Sequence, residues 1–120
     1  MLKTSPGSAF SPLLSTLFVV LAAAVLSAAP SKKIFVGVIT DDMCATKAGH
    51  STMRMGSNDA ECTQACVDAH GSFYVLFDGK TAYTLSDQKK PQALAGQKVK
   101  VVGTFDPAKR LIVVESISPR

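Results

Sequence analysis

From Lys33 onward, short runs of β-branched and aromatic residues alternate with clusters of turn-forming residues, the pattern of a small all-β unit. "IFVGVIT", residues 34–40, predicts a first strand in which Gly37 marks a bulge or bend. "SFYVLF", residues 72–77, and "TAYTLS", residues 81–86, predict a second and a third. Asp78 and Gly79 between them tolerate the backbone of a tight hairpin turn, so these two strands should pair directly. "KVKVVGTF", residues 98–105, alternates lysine and valine: Val99 and Val101 should point inward and Lys98 and Lys100 outward, before Gly103 bends the strand. "DPAKR" supplies a turn, and "LIVVESI", residues 111–117, is the last strand. In "DQKKPQALAGQ", Pro91 and Gly96 bracket room for about one helical turn.

Five strands in an open sheet would leave edges free to pair with other chains, and closure removes them. The helical connector before the fourth strand stands where an OB-type barrel carries its helix. The predicted fold is therefore mainly β, a five-stranded OB-like barrel with a Cys-bearing helical insertion between strands 1 and 2. A two-sheet sandwich is the alternative, because the pattern specifies strands and not their closure.

The insertion, residues 41–71, is too long to be an idle loop in a domain of this size. Its second half reads as a helix. Asn58 and Glu61 stand in a capping-box arrangement, Asp59 and Glu61 suit the positive end of the helix dipole, and Gly71 suits a left-handed C-terminus. Cys62, Cys66 and Ala69 fall on one stripe, predicted to face the barrel, and Thr63, Gln64 and Asp68 on a face that can meet water. His70 lies at the frayed end.

The N-terminus changes the context. One lysine, Lys3, precedes an uncharged apolar run from Leu13 to Leu26 and then small residues, the order of a secretory signal peptide. The run is shorter than the roughly 20 residues of a membrane-crossing helix. Cleavage after Ala29 is expected, with Ser27 and Ala29 as the small-residue positions, leaving residues 30–120 as a single domain with no membrane span. No cysteine flanks the run, which argues against a lipid-modified N-terminus. The expected location is periplasmic or secreted. Loss of Lys3 lowers the formal charge of +4 by one, and the remaining basic excess is spread along the chain. That spread, in an exported protein, argues against a nucleic-acid partner.

Every Cys, His and Met of residues 30–120 lies between Met43 and His70: Met43, Cys44, His50, Met53, Met55, Cys62, Cys66 and His70. These are the soft and borderline donors, which select zinc or copper over calcium or magnesium. Residues four apart on a helix have Cβ atoms about 5–6 Å apart, too far for a disulfide, so Cys62 and Cys66 should not bridge while the helix is intact. Two readings stand. Cys44, His50, Cys62 and Cys66 form a Cys3His metal site for zinc or copper, with Met53 and Met55 favouring copper(I). Alternatively, an exported chain forms one disulfide from Cys44 to Cys62 or Cys66 and buries the remaining thiol. The plainest alternative beside these two is that the thiols are reduced, ordinary small core residues.

Motifs for other chemistry are missing: the chain has no C-x-x-C redox pair, no C-x-x-C-H haem attachment and no G-x-S-x-G elbow. Asp41 and Asp42 read as a turn or helix cap. Tyr74 and Tyr83, on adjacent hairpin strands, are candidates for a stacking platform for a glycan or peptide, with a cross-strand pair in the barrel wall as the simpler alternative. No acid/base pair points to an enzyme.

"GVITDDMC", the following His50, "ECTQACV", "FYVLFDGKTAYTLSDQ", "AGQKVKVVGTF" and "LIVVESI" together resemble a family of small exported bacterial proteins whose domain has no assigned function. The likeness spans about Gly37 to Ile117. It implies one compact exported β domain and brings no catalytic residues with it. The expectation is a non-enzymatic binding or structural module of the cell envelope, its partner an envelope protein or a glycan. It either holds a soft metal or is a disulfide-stapled interaction module without one.

Overall fold

The computed structural model describes residues 2–5, 7, 28–46 and 50–120. The apolar run Leu13–Leu26 lies outside the described residues, and among those described no helix is long and apolar enough to cross a membrane. Five strands, β1 (Lys32–Asp41), β2 (Tyr74–Phe77), β3 (Ala82–Leu85), β4 (Lys98–Asp106) and β5 (Leu111–Pro119), close into a barrel in the order β1-β2-β3-β5-β4. The OB-like reading holds and the sandwich does not.

β1 is long enough to serve two neighbours, pairing with β4 along Lys32–Val38 and with β2 along Val38–Asp41. Gly37 stands where these pairings meet. It forms no bulge there; a Cβ on it would collide with the Phe77 carbonyl, so its role is close backbone approach. The bulge lies instead at Val102/Gly103, where β4 bends against β5. The barrel closes through a short parallel seam, Thr84 opposite Leu111 and Leu85 opposite Ile112.

Alternation along β4 places Val99 and Val101 in the core and Lys98 and Lys100 in solvent, as the pattern predicts. Ile39, Tyr74, Leu76, Leu85 and Ile112 complete the centre of that core. The hairpin turn is fixed by Asp78, whose Oδ1 accepts from the backbone N–H groups of Lys80 (2.8 Å) and Thr81 (2.7 Å), with Gly79 at φ 96°. These bonds favour the charged form and hold the Asp78 carboxyl below its ordinary value. A folded-state value below the unfolded one stabilises above the unfolded pKa and is lost as pH falls through the folded one. Asp78→Asn should therefore be less stable than the parent at pH 7 and converge on it in acid below about pH 4, as urea midpoints across pH would show.

A 3-10 turn at Lys90–Leu94 carries Pro91 at its start and leads to Gly96, whose N–H donates to the Ile39 carbonyl (2.8 Å). Among the described residues the insertion contributes three helices, where the pattern predicts one: α1 (Asp42–Thr46), α2 (His50–Met53) and α3 (Asp59–His70). α3 begins and ends as expected. The Asn58 side chain accepts from the Glu61 N–H (2.9 Å), and Gly71 at φ 66° returns its N–H to the last turn. Glu61 does not complete the capping box on Asn58 but reaches back to the backbone N–H and hydroxyl of Ser57.

The face of α3 departs from expectation. Ala60 and Val67 pack on the barrel core, Thr63 is fully buried and Ala69 is exposed. Thr63 and Ala69 thus exchange the places assigned by the 62–66–69 stripe. The cysteines lie at the side of the barrel-facing arc and meet α1 and the methionines, because the insertion folds back over α3 as a second layer.

Candidate metal centre

The second layer is held by β1, which runs straight into α1. Asp41, the last residue of β1, turns its Oδ1 back to accept from the N–H groups of Met43 (3.1 Å) and Cys44 (3.0 Å), capping the first turn. Asp42 Oδ1 accepts from Phe73 N–H (2.9 Å), tying the start of α1 to the end of the insertion. The expected cap role of this acidic pair is thus realised by Asp41 alone, which fixes the turn that carries Cys44.

After α2 the chain turns sharply. Arg54 adopts φ 47°, and Gly56 lies so close to α3 that a Cβ would sit 2.6 Å from Glu61 Cβ and 2.8 Å from the Cys62 nitrogen. This close return brings Met53 and Met55 against the sulfurs, and together with Cys44, Cys62 and Cys66 they form a small cluster separate from the barrel core.

Within the cluster Cys44 is central. Its Sγ lies 3.9 Å from Cys62 Sγ and 4.0 Å from Cys66 Sγ, and all three cysteines are free and buried. The disulfide reading, Cys44 to Cys62 or Cys66, is therefore corrected. Bonded sulfurs lie about 2.05 Å apart, and here no pair does. Cys62 and Cys66 sit unbridged on an intact helix, as their spacing requires. Separations near 4 Å are what sulfurs adopt around one ion, since metal–sulfur bonds of about 2.3 Å at tetrahedral angles place ligand atoms roughly 3.8 Å apart.

Donor atoms of Cys44, His50 and Cys62 lie within 4.8 Å of one another, and so do those of Asp41, Cys44 and Cys66. The two triads share Cys44. His50 opens α2 half-buried, with Thr40 Oγ1 3.4 Å from its Nε2. Its Nδ1 is buried without a hydrogen-bond partner among the described residues. A proton donated from Nε2 to Thr40 leaves the Nδ1 lone pair for the cluster, the usual way an outer group fixes a ligating tautomer. Asp41, fully buried, has its Oδ2 equally unpartnered. Burial first, and then the Asp41 carboxylate beside it, push the Cys44 thiol well above its ordinary range, and burial followed by the same carboxylate pushes Cys66 up. Both effects penalise negative charge that has no cation to offset it. A bound cation would reverse them, because a coordinating thiol is deprotonated outright.

The structure thus gathers Cys44 with His50 and Cys62 in one triad and with Asp41 and Cys66 in another, and leaves His70 exposed at the end of α3. It adds Asp41, which sequence reasoning takes for a cap alone. The available signal was its position: a cap three residues before a cysteine must lie beside that cysteine.

The tyrosine platform does not assemble. Tyr74 is a core residue, 3% exposed, and the Gln88 side chain pairs with its backbone N–H and carbonyl. Tyr83 packs with Phe35 and Phe105, ring centroids 5.7 and 5.5 Å away, and lines a surface cavity with Lys80 and Arg110. The cross-strand tyrosine pair does not form either: Tyr83 stands opposite Leu76, and Tyr74 belongs to the core.

A cysteine–histidine cluster able to hold a metal ion, at the side of a closed five-stranded barrel, is what the geometry establishes. Compared with known proteins, the chain matches no family profile, and no curated protein or solved structure is significantly similar to it.

Proposed function

We propose that this protein is an exported, non-enzymatic metal-binding module of the bacterial envelope, holding one zinc or copper(I) ion on Cys44, Cys62, Cys66 and His50. The observation that carries the reading is the pair of orphaned buried atoms, His50 Nδ1 and Asp41 Oδ2, flanking three unbonded buried thiols. Buried polar groups without partners are costly and rare in native proteins, and a cation held by either triad would give one of them a partner. Sulfur-rich coordination with one imidazole selects zinc or copper(I), and the thioethers of Met53 and Met55 against the sulfurs give copper(I) a compatible surrounding. Asp41, in the triad with Cys44 and Cys66, would place its charge beside a bound cation, and its caps hold Cys44 in place. Export rests on the N-terminal apolar run and its small-residue exit.

Native mass spectrometry of the chain isolated from its own compartment tests the reading. The expected mass is that of the chain plus one zinc or copper ion. A mass two protons below that of the reduced apo chain identifies a disulfide and overturns the proposal.

A further inference from the structure

The cluster is walled unevenly. Asp41, Cys44, Cys62 and Cys66 are each 2% exposed or less, whereas His50 is half-buried and stands at the edge. Beside it lies a cavity of about 350 Å³ lined by Val38, Thr40, Cys44, Ala45, His50, Asp59 and Phe77. His50 also lines a second cleft on its other side, with Arg54, Gly56, Ser57, Asn58 and Asp59. His50 and Asp59 thus line both open spaces, and of the three cysteines Cys44 lines the first. Sites with four protein ligands and no access are structural, whereas those that keep a position reachable from outside exchange ligands.

Building on the metal reading, we propose that the ion takes a low-molecular-weight thiol as an exchangeable ligand, which enters through the cavity beside Cys44 and displaces His50. An ion already surrounded by thiolates is soft and prefers sulfur to water or oxygen. The cavity walls offered by Val38, Ala45 and Phe77 suit the carbon part of such a molecule, and among the described residues that line it the exposed carboxylate of Asp59 carries the formal charge. That charge disfavours anions, so the thiol enters neutral. On binding, the S–H bond breaks, its proton passes to water, and the sulfur donates a lone pair to the ion. The metal–nitrogen bond to His50 breaks and the nitrogen keeps its own pair. No oxidant or reductant takes part. The cavity holds a small molecule and not a folded protein, so a partner receiving the metal would do so through such a carrier.

The full chain loaded with cobalt(II) and titrated with 2-mercaptoethanol tests this, because the thiolate-to-cobalt charge-transfer and d–d bands report each ligand of the ion. The expected result is a saturable change with the cobalt retained, weakened at least tenfold in Ala45→Phe, which narrows the cavity, when that variant still develops the parent's cobalt bands. In His50→Ala the thiol should bind more tightly than in the parent, since no ligand must leave. Bands that do not respond to the thiol in the parent protein overturn the proposal, whatever the variants do. So does stripping of the cobalt without an intermediate spectrum. A parent chain that never develops thiolate–cobalt bands rejects the metal reading itself, a different outcome from a loaded site that ignores the thiol.

Discussion

Cys44→Ser should abolish high-affinity metal binding, weakening it by more than the 10–100-fold that loss of an outer-shell partner costs, and should cost more than the same change at Cys62 or Cys66. Cys44 belongs to both donor triads, whereas Cys62 and Cys66 each belong to one. Competition with a chromophoric chelator gives the affinities. A thermal shift gives an independent reading: free metal at 100 times its Kd stabilises a folded site by about 2.7 kcal/mol, worth on the order of 10 °C or more in Tm for a domain of this size. The parent should gain that increment and Cys44→Ser should not. Without metal the two should melt within a few degrees of each other, because serine is close in size to cysteine and its hydroxyl can donate to the unpartnered Asp41 Oδ2. An equal loss in all three Cys→Ser variants would mean that Cys44 has no special place. A metal-dependent shift surviving in Cys44→Ser would move the centre elsewhere.

The barrel was legible from the chain because each strand carries its own signal. Val99 and Val101 alternate with Lys98 and Lys100, Asp78 and Gly79 specify a turn, and Pro91 and Gly96 bracket a short helical connector. Such cues act over a few residues and survive whatever the rest of the chain does. The insertion was legible only in part. α3 announces itself through Asn58 and Gly71, but α1 and α2 are four to five residues long, too short for periodicity to register. They exist because Asp41 caps the turn, because Asp42 ties α1 to Phe73, and because Gly56 lets the chain return closely to α3.

The orientation of α3 was misjudged for a related reason. Ala60 and Val67 set the barrel-facing arc, and Thr63 lies between them on it, so Thr63 is enclosed although the 62–66–69 stripe assigns it to water. The candidate ligands were legible from clustering by residue type. Their pairing was not, since whether thiols bond or merely converge depends on the tertiary approach of Cys44. Asp41 was missed because its two oxygens have different surroundings: Oδ1 does the capping that sequence suggests, and Oδ2 faces the sulfurs, which no local pattern records.

Ile112→Ala should be among the most destabilising single substitutions, by about 3 kcal/mol, within the 2–5 kcal/mol typical of truncating a buried isoleucine. Ile112 is fully buried, opposite Phe105 of β4 and Leu85 of β3. It therefore sits on the two-residue parallel seam that closes the barrel, where few backbone bonds share the load and side-chain packing must supply the cohesion. Against the 5–15 kcal/mol that hold typical domains, and for one near the small end of the range, the loss is large. With a urea slope of about 1 kcal/mol/M, the midpoint should fall by about 3 M while the slope is unchanged. Val113→Ala, one residue on and half exposed, should stay within about 0.5 kcal/mol of the parent; equal effects at the two positions would reject this account of the seam. The same variant separates fold from site. The metal centre hangs from β1 through α1 and from the flank of α3, and none of its donors lies on β3 or β5. Folded Ile112→Ala should therefore bind zinc with the parent's affinity, and zinc should raise its urea midpoint by the same free energy, as linkage requires for a site formed only in the native state.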